Sequence, residues 1–195
     1  LEEFHQVTTL DAEFDEKIRR LLDIGLEYFG LDTGILSRIE GEDYHIEAIE
    51  GSDIDVEVGD VLSLKNTFCQ SIVKKKGPVY FNREHSDEID DHPAYEKQEL
   101  EVYLGVPVFI DNDLYGTLNF SGFEAVDRDL EKEARNVVQL MAEWIGKEIS
   151  RRRSRDQAEA NQRRLRQIID NLPQLVFAKD ESGEFLLANS SVAEA

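Results

Sequence analysis

The chain has 195 residues, 41% hydrophobic and 33% charged, with 42 acidic against 22 basic side chains and a formal net charge of -20. Length and apolar content suffice for one domain of ordinary size plus something further, while the acidity argues against nucleic acid phosphates or an anionic membrane surface as partners. A single cysteine excludes an internal disulfide and fits a reducing, cytoplasmic compartment, and no apolar run approaches the ~18 residues of a membrane span.

Residues 8–30 place Leu10, Phe14, Ile18, Leu21, Leu22, Tyr28 and Phe29 at helical spacing, with Thr8 or Thr9 as N-cap and Gly30 as terminator. Two strands are predicted at 33–39 and 44–50 around a tight turn at 41–43. In the second, Tyr44, Ile46 and Ala48 alternate with His45, Glu47 and Ile49, so the first set is expected to share the inward face. After an acidic, irregular stretch, residues 66–76 predict a short helix with Phe68, Cys69, Ile72 and Val73 on one side. Its three lysines, Lys74 to Lys76, sit at the C-terminal end, where the helix dipole favours them. A strand at 79–81, a charged loop at 83–93 and a short helix at 94–101 follow. Strands at 105–110 and 114–120 then flank Asp111-Asn112-Asp113, expected as a three-residue hairpin turn. The resulting order predicts an α+β domain with an antiparallel sheet between helices.

From Asp127 to Leu172 there is no proline and one glycine, Gly146, which predicts a single helix of about 45 residues and roughly 65 Å. Every seventh residue reads Leu130, Val137, Trp144, Arg151, Ala158, Leu165, Leu172: apolar at the ends, polar between. Arginines at 151, 152, 153, 155, 163, 164 and 166 must be solvated or paired. So long a polar stretch predicts a coiled-coil-type rod doubled by the same helix of a second chain, a parallel homodimer, in preference to a lone surface helix. Beyond Pro173, residues 175–178 and 185–188 read as strands hinged at Ser182-Gly183. About 23 residues make no core alone, so residues 173–195 are expected to open a further domain of a longer protein.

Leu62-Ser63-Leu64, Thr67-Phe68-Cys69, Gly77-Pro78-Val79, Tyr103-Leu104-Gly105-Val106-Pro107-Val108 and Tyr115-Gly116-Thr117-Leu118 together resemble the GAF family of bacterial sensor proteins. Ile168-Ile169-Asp170-Asn171-Leu172-Pro173, then Lys179-Asp180, Gly183 and Asn189, is similar to the start of a PAS domain. The resemblance implies a GAF domain at 1–146, a signalling-helix linker at 147–172 continuous with the last GAF helix from 127, and a truncated PAS start at 173–195. It also implies a signal-transduction role upstream of an output domain in the same chain, such as a histidine kinase or a diguanylate cyclase. The GAF pocket would lie between the sheet and the helices and loops covering it.

Cys69 reads either as a redox switch or ligand contact, or more plainly as a small buried hydrophobe. The bilin-bearing members of the family carry a Cys-His pair or an equivalent attachment cysteine. Here Gln70 follows the only cysteine, which argues against a covalent chromophore. The Asn-Lys, Phe, Asp-Glu signature of cyclic nucleotide binding is missing in its spacing, so no cofactor is assigned. His85 and His92 among acidic residues read as a solvated loop and not as a metal site. Parity and apolar content select Phe68, Cys69, Tyr103, Leu118 and Phe120 as the lining of a pocket or a filled core. No catalytic motif is visible, and the family's methionine sulfoxide chemistry needs several cysteines. Three readings stand: a ligand-binding regulatory module, a redox-responsive domain acting through Cys69, and a structural dimerisation module.

Overall fold

The computed structural model describes residues 2–51, 55–82, 100–124, 126 and 131–193. These divide into two compact units, Leu1–Ile149 and Ser150–Ala195. The first opens with helices α1 (Glu2–Thr9) and α2 (Phe14–Phe29), where one continuous helix over 8–30 was predicted. Thr8 and Thr9 do not cap α2; they close α1, their hydroxyls donating to the His5 carbonyl at 2.8 and 3.0 Å. Gly30 does terminate α2, in the left-handed conformation at φ 67°, its N–H donating to the Leu26 carbonyl at 2.8 Å.

Strands β1 (Thr33–Glu40), β2 (Asp43–Gly51), β3 (Val61–Ser63), β4 (Val79–Asn82), β5 (Val102–Ile110) and β6 (Asp113–Gly122) form an antiparallel sheet in the order β3-β2-β1-β6-β5-β4. Helix α3 (Cys69–Lys75) starts three residues later than predicted, because a 3-10 turn at Leu64–Asn66 takes the chain into it. The β5–β6 turn uses two residues, not three. Asp111 (φ 51°) and Asn112 (φ 72°) both sit at positive φ, and Ile110 pairs with Asp113, as a primed turn matching the strand twist requires. The charged loop and short helix expected at 83–93 and 94–101 lie almost wholly outside the described residues.

The sheet has a core on each face. On one, Ile18, Leu21, Leu22 and Phe29 of α2 and Val138, Met141, Ala142 and Ile145 of α4 (Glu131–Asp170) pack against Leu36, Leu104, Leu118 and Phe120. On the other, Phe68, Cys69 and Ile72 around α3 pack against Ile35, Tyr44, Ile46, Phe81 and Tyr103.

Two bulges decide which residue faces which core. Leu36 pairs with Ala48 but Ser37 with Ile46, so Glu47 is extra on β2. Likewise Val108 pairs with Gly116 and Phe109 with Leu114, leaving Tyr115 extra on β6. An extra residue inverts the alternation beyond it. Ala48 therefore joins the α2 core while Ile46 and Tyr44 join the α3 core, which corrects the expectation that all three share a face. The two extra residues meet: the Tyr115 hydroxyl donates to Glu47 Oε2 at 2.5 Å, and Arg38 Nε to Glu47 Oε1 at 3.1 Å.

In the second unit, β7 (Phe177–Lys179) and β8 (Phe185–Ala188) form an antiparallel hairpin, followed by the short helix α5 (Ser190–Ala193). Asp180 builds the turn, its Oδ1 accepting from the backbone of Ser182 and Glu184, both at 2.9 Å. Asn189 gathers the rest: its Nδ2 donates to the carbonyls of Ile169, Leu172 and Gln174, and its Oδ1 accepts from Val176 N. Helix α4 runs Glu131–Asp170 against the 127–172 predicted, with 127–130 outside the described residues. Among the described residues no helix is long and apolar enough to cross a membrane.

Candidate functional site: a cavity under helix α3

Between α3 and the sheet lies a cavity of about 50 Å³. Its apolar wall is Ile35, Ile46, Val56, Leu62, Phe68 and Leu100; its polar lining is Tyr44, Thr67, Cys69, Tyr103, Asn119 and Ser121. Apart from Thr67, in the bend between the 3-10 turn and α3, each polar group arrives by strand parity or helix phase. Asn119 and Ser121 are the residues of β6 that alternate with Leu118 and Phe120, Tyr103 alternates with Leu104 on β5, and Tyr44 reaches this face only because of the bulge at Glu47. Cys69 is the first residue of α3, directly over the sheet.

These side chains form one hydrogen-bonded cluster. Cys69 Sγ lies 3.2 Å from Tyr103 Oη and 3.5 Å from Tyr44 Oη. Asn119 Nδ2 donates to Tyr44 Oη at 3.2 Å and to Cys69 Sγ at 3.5 Å. Tyr44, Cys69, Tyr103 and Asn119 are all at most 4% exposed. Burial pushes both phenols well above the ordinary tyrosine range, and the adjacent Cys69 adds to the effect. Both hydroxyls therefore stay protonated near neutrality and serve as hydrogen-bonding groups. Behind the cavity the rings of Phe68, Phe81 and Tyr103 stand 5.0 to 5.6 Å apart, and the Phe81 and Tyr103 planes are stacked within 13°.

Of the five residues selected from sequence, Phe68, Cys69 and Tyr103 line the cavity. Leu118 and Phe120 do not. They are fully buried on the opposite face, against α2 and α4, and Asn119 and Ser121 take their place. Both faces of β6 are covered, so apolar content could not tell which face held the cavity. The sequence signal was the run Thr117-x-Asn119-x-Ser121: three polar side chains at period two in a strand, each at most 4% exposed. His85 and His92 lie outside the described residues, among which no group of three or more His, Cys, Asp or Glu side chains is placed to hold a metal.

Comparison with solved structures finds this architecture repeatedly at low identity. The GAF domain of an Acinetobacter phosphoenolpyruvate-protein phosphotransferase superposes with a TM-score of 0.62 at 12% identity, covering 80% of this chain and 93% of that one. The phycocyanobilin-bound GAF domain of a cyanobacterial phytochrome gives 0.62 at 12%, covering 77% and 93%. A free methionine-R-sulfoxide reductase from Neisseria meningitidis, in complex with its substrate, gives 0.60 at 14%, covering 77% and 89%. At these identities the likeness is one of fold. No curated protein matches the chain. The GAF domain family model matches residues 11–149, a span that takes in α2, the whole described sheet and the first part of α4. With that match over most of its length and the fold it shares with solved GAF domains, this chain belongs to the GAF family.

Proposed function

We propose that the chain is a regulatory sensor module of a signal-transduction protein, whose α3 cavity takes a small ligand and whose helix α4 passes the change on. The observation that carries this reading is the buried polar cluster of Tyr44, Cys69, Tyr103 and Asn119 around unfilled space. A domain that only needed a core would fill that volume with apolar side chains, since polar groups without solvent must be satisfied pairwise. The reading includes a parallel homodimer formed along α4, residues 173–195 as the opening of a PAS domain, and an output such as a histidine kinase or a diguanylate cyclase in the same cytoplasmic protein. It assigns no catalysis to these 195 residues: methionine sulfoxide reduction in a GAF fold requires a second cysteine to resolve the first, and Cys69 is the only one here.

The small volume, about 50 Å³, favours a second reading, a dimerisation scaffold without ligand. Redox response through Cys69 is a variant of the first reading, in which the cluster senses oxidation and not occupancy. Native mass spectrometry of the purified chain separates them. The sensor reading expects a retained small molecule that is lost on denaturation. Bare mass from every preparation, with no addition to Cys69, favours the scaffold.

A further inference from the structure

The chemistry of the cavity restricts what it accepts. Among the described residues that line it none is charged, so a carboxylate, phosphate or ammonium entering it would lose its hydration with no counter-charge in return. Asn119 already uses both amide hydrogens on Tyr44 and Cys69; its remaining hydrogen-bonding atom is the oxygen, an acceptor. Thr67 donates its hydroxyl hydrogen to the Leu64 carbonyl at 2.9 Å. The volume of about 50 Å³ holds roughly two to four non-hydrogen atoms, between the ~25 Å³ per atom of benzene in a ~150 Å³ cavity and the ~10–15 Å³ of one water-sized sphere.

We infer that the cavity binds a small uncharged molecule of about two to four non-hydrogen atoms that carries an N–H or O–H donor for the Asn119 oxygen, and that it discriminates against the charged molecule of the same shape. This rests on the sensor reading above and narrows it to a ligand class. Ile35, Ile46, Phe68 and Leu100 would cover the apolar end of such a molecule, with Asn119 and Ser121 at its polar end. Anionic metabolites and nucleotides, which need basic or backbone donors, are outside the class.

Acetamide and acetate test this directly, being nearly identical in size and shape and differing in charge and in the N–H donor. Both are titrated into the unmutated chain at constant ionic strength and neutral pH, following the backbone amide resonances of Cys69, Tyr103, Asn119 and Ser121, with Phe177 to Lys179 as internal reference. The expected result is saturable movement of the cavity resonances by acetamide in the millimolar range, and by acetate at least about tenfold more weakly. Asn119→Leu is expected to abolish the acetamide response; because that change also unties Tyr44 and Cys69, the comparison in the unmutated protein is the decisive arm. Equal or tighter binding of acetate overturns the assigned class and leaves the cavity as a site. If neither compound moves these resonances while mass spectrometry finds a retained molecule, the class is wrong and the sensor reading survives. If neither binds and nothing is retained, both fail.

Discussion

Tyr44 and Tyr103 place two phenols beside one thiol in a space with almost no access to water, and a consequence at alkaline pH follows. Burial raises the folded-state pKa of both hydroxyls, with Cys69 as the next cause. In the unfolded chain they titrate near the ordinary phenol value of about 10. Below that value both states hold both protons, and the contribution to stability is fully present. As pH rises past it the unfolded chain releases protons that the folded chain retains, so stability falls with pH until the folded pKa is reached. Chemical denaturation from pH 9 to 11 is therefore expected to show a falling unfolding free energy. Tyr103→Phe should remove one of the two protons involved and about halve the tyrosine part of that slope. An unchanged slope in this variant would mean that Tyr103 titrates as freely in the folded protein as in the unfolded one.

At the level of elements, the bulge at Glu47 lets Ala48 and Ile46, two apart in sequence, serve opposite cores. Because Leu36 already pairs with Ala48 and Ser37 with Ile46, removing Glu47 leaves a regular ladder in which both neighbours keep their partners and their faces. The loss is confined to the bonds from Tyr115 and Arg38, about 1–3 kcal/mol for a charged, partly buried acceptor. Deleting Ile49 instead draws Glu47 into the place of Ala48 opposite Leu36 and puts a carboxylate into the α2 core. Denaturant unfolding should thus stay cooperative for the Glu47 deletion and lose its cooperative transition for the Ile49 deletion; the reverse order would contradict the register. The same bulge marks where sequence reading gave out. Most elements and their order were legible, because helical spacing from Phe14 to Phe29, the Gly30 stop and the Asp111-Asn112 turn are local signals; the break between α1 and α2 and the three-residue strand β3 were not. Face assignment was not, because a bulge inverts parity through its pairing with the neighbouring hairpin strand and leaves no mark in the strand that carries it. Phe68 and Cys69 were found because they sit at the start of α3, where helical phase and not strand parity sets the buried side; Asn119 and Ser121 were missed because β6 is covered on both sides.

For the whole molecule, the proposed parallel dimer rests on helix α4. Along its heptad seam Val137 and Trp144 are half-buried, Arg151 and Ala158 are exposed, and Leu165 is 59% exposed, with Leu172 just beyond the helix at 39%. Ile168, next to this seam, is 53% exposed. Such apolar side chains on a helix otherwise covered in arginine and glutamine are what a second copy of the same helix would cover, since a knob from one chain needs a hole of four residues in another. The pair Arg155–Glu159 at 4.0 Å and the Arg166–Asp170 bond at 3.0 Å are exposed intrahelical contacts worth little to the helix itself. Light scattering of the purified chain at tens of micromolar is expected to give the mass of a dimer. Arg151 and Ala158 interrupt the seam, so the double change Arg151→Leu and Ala158→Leu buries about 1.5–3 kcal/mol of additional apolar surface per leucine and should tighten the dimer by well over tenfold in sedimentation equilibrium. In the full-length protein the same change should hold the output in one state, because a continuous apolar seam favours one register by more than the few kcal/mol that ligand binding can supply. A monomer in light scattering, or a double variant that associates no more tightly than the parent, removes the dimer and with it the route by which occupancy of the cavity would reach an output domain.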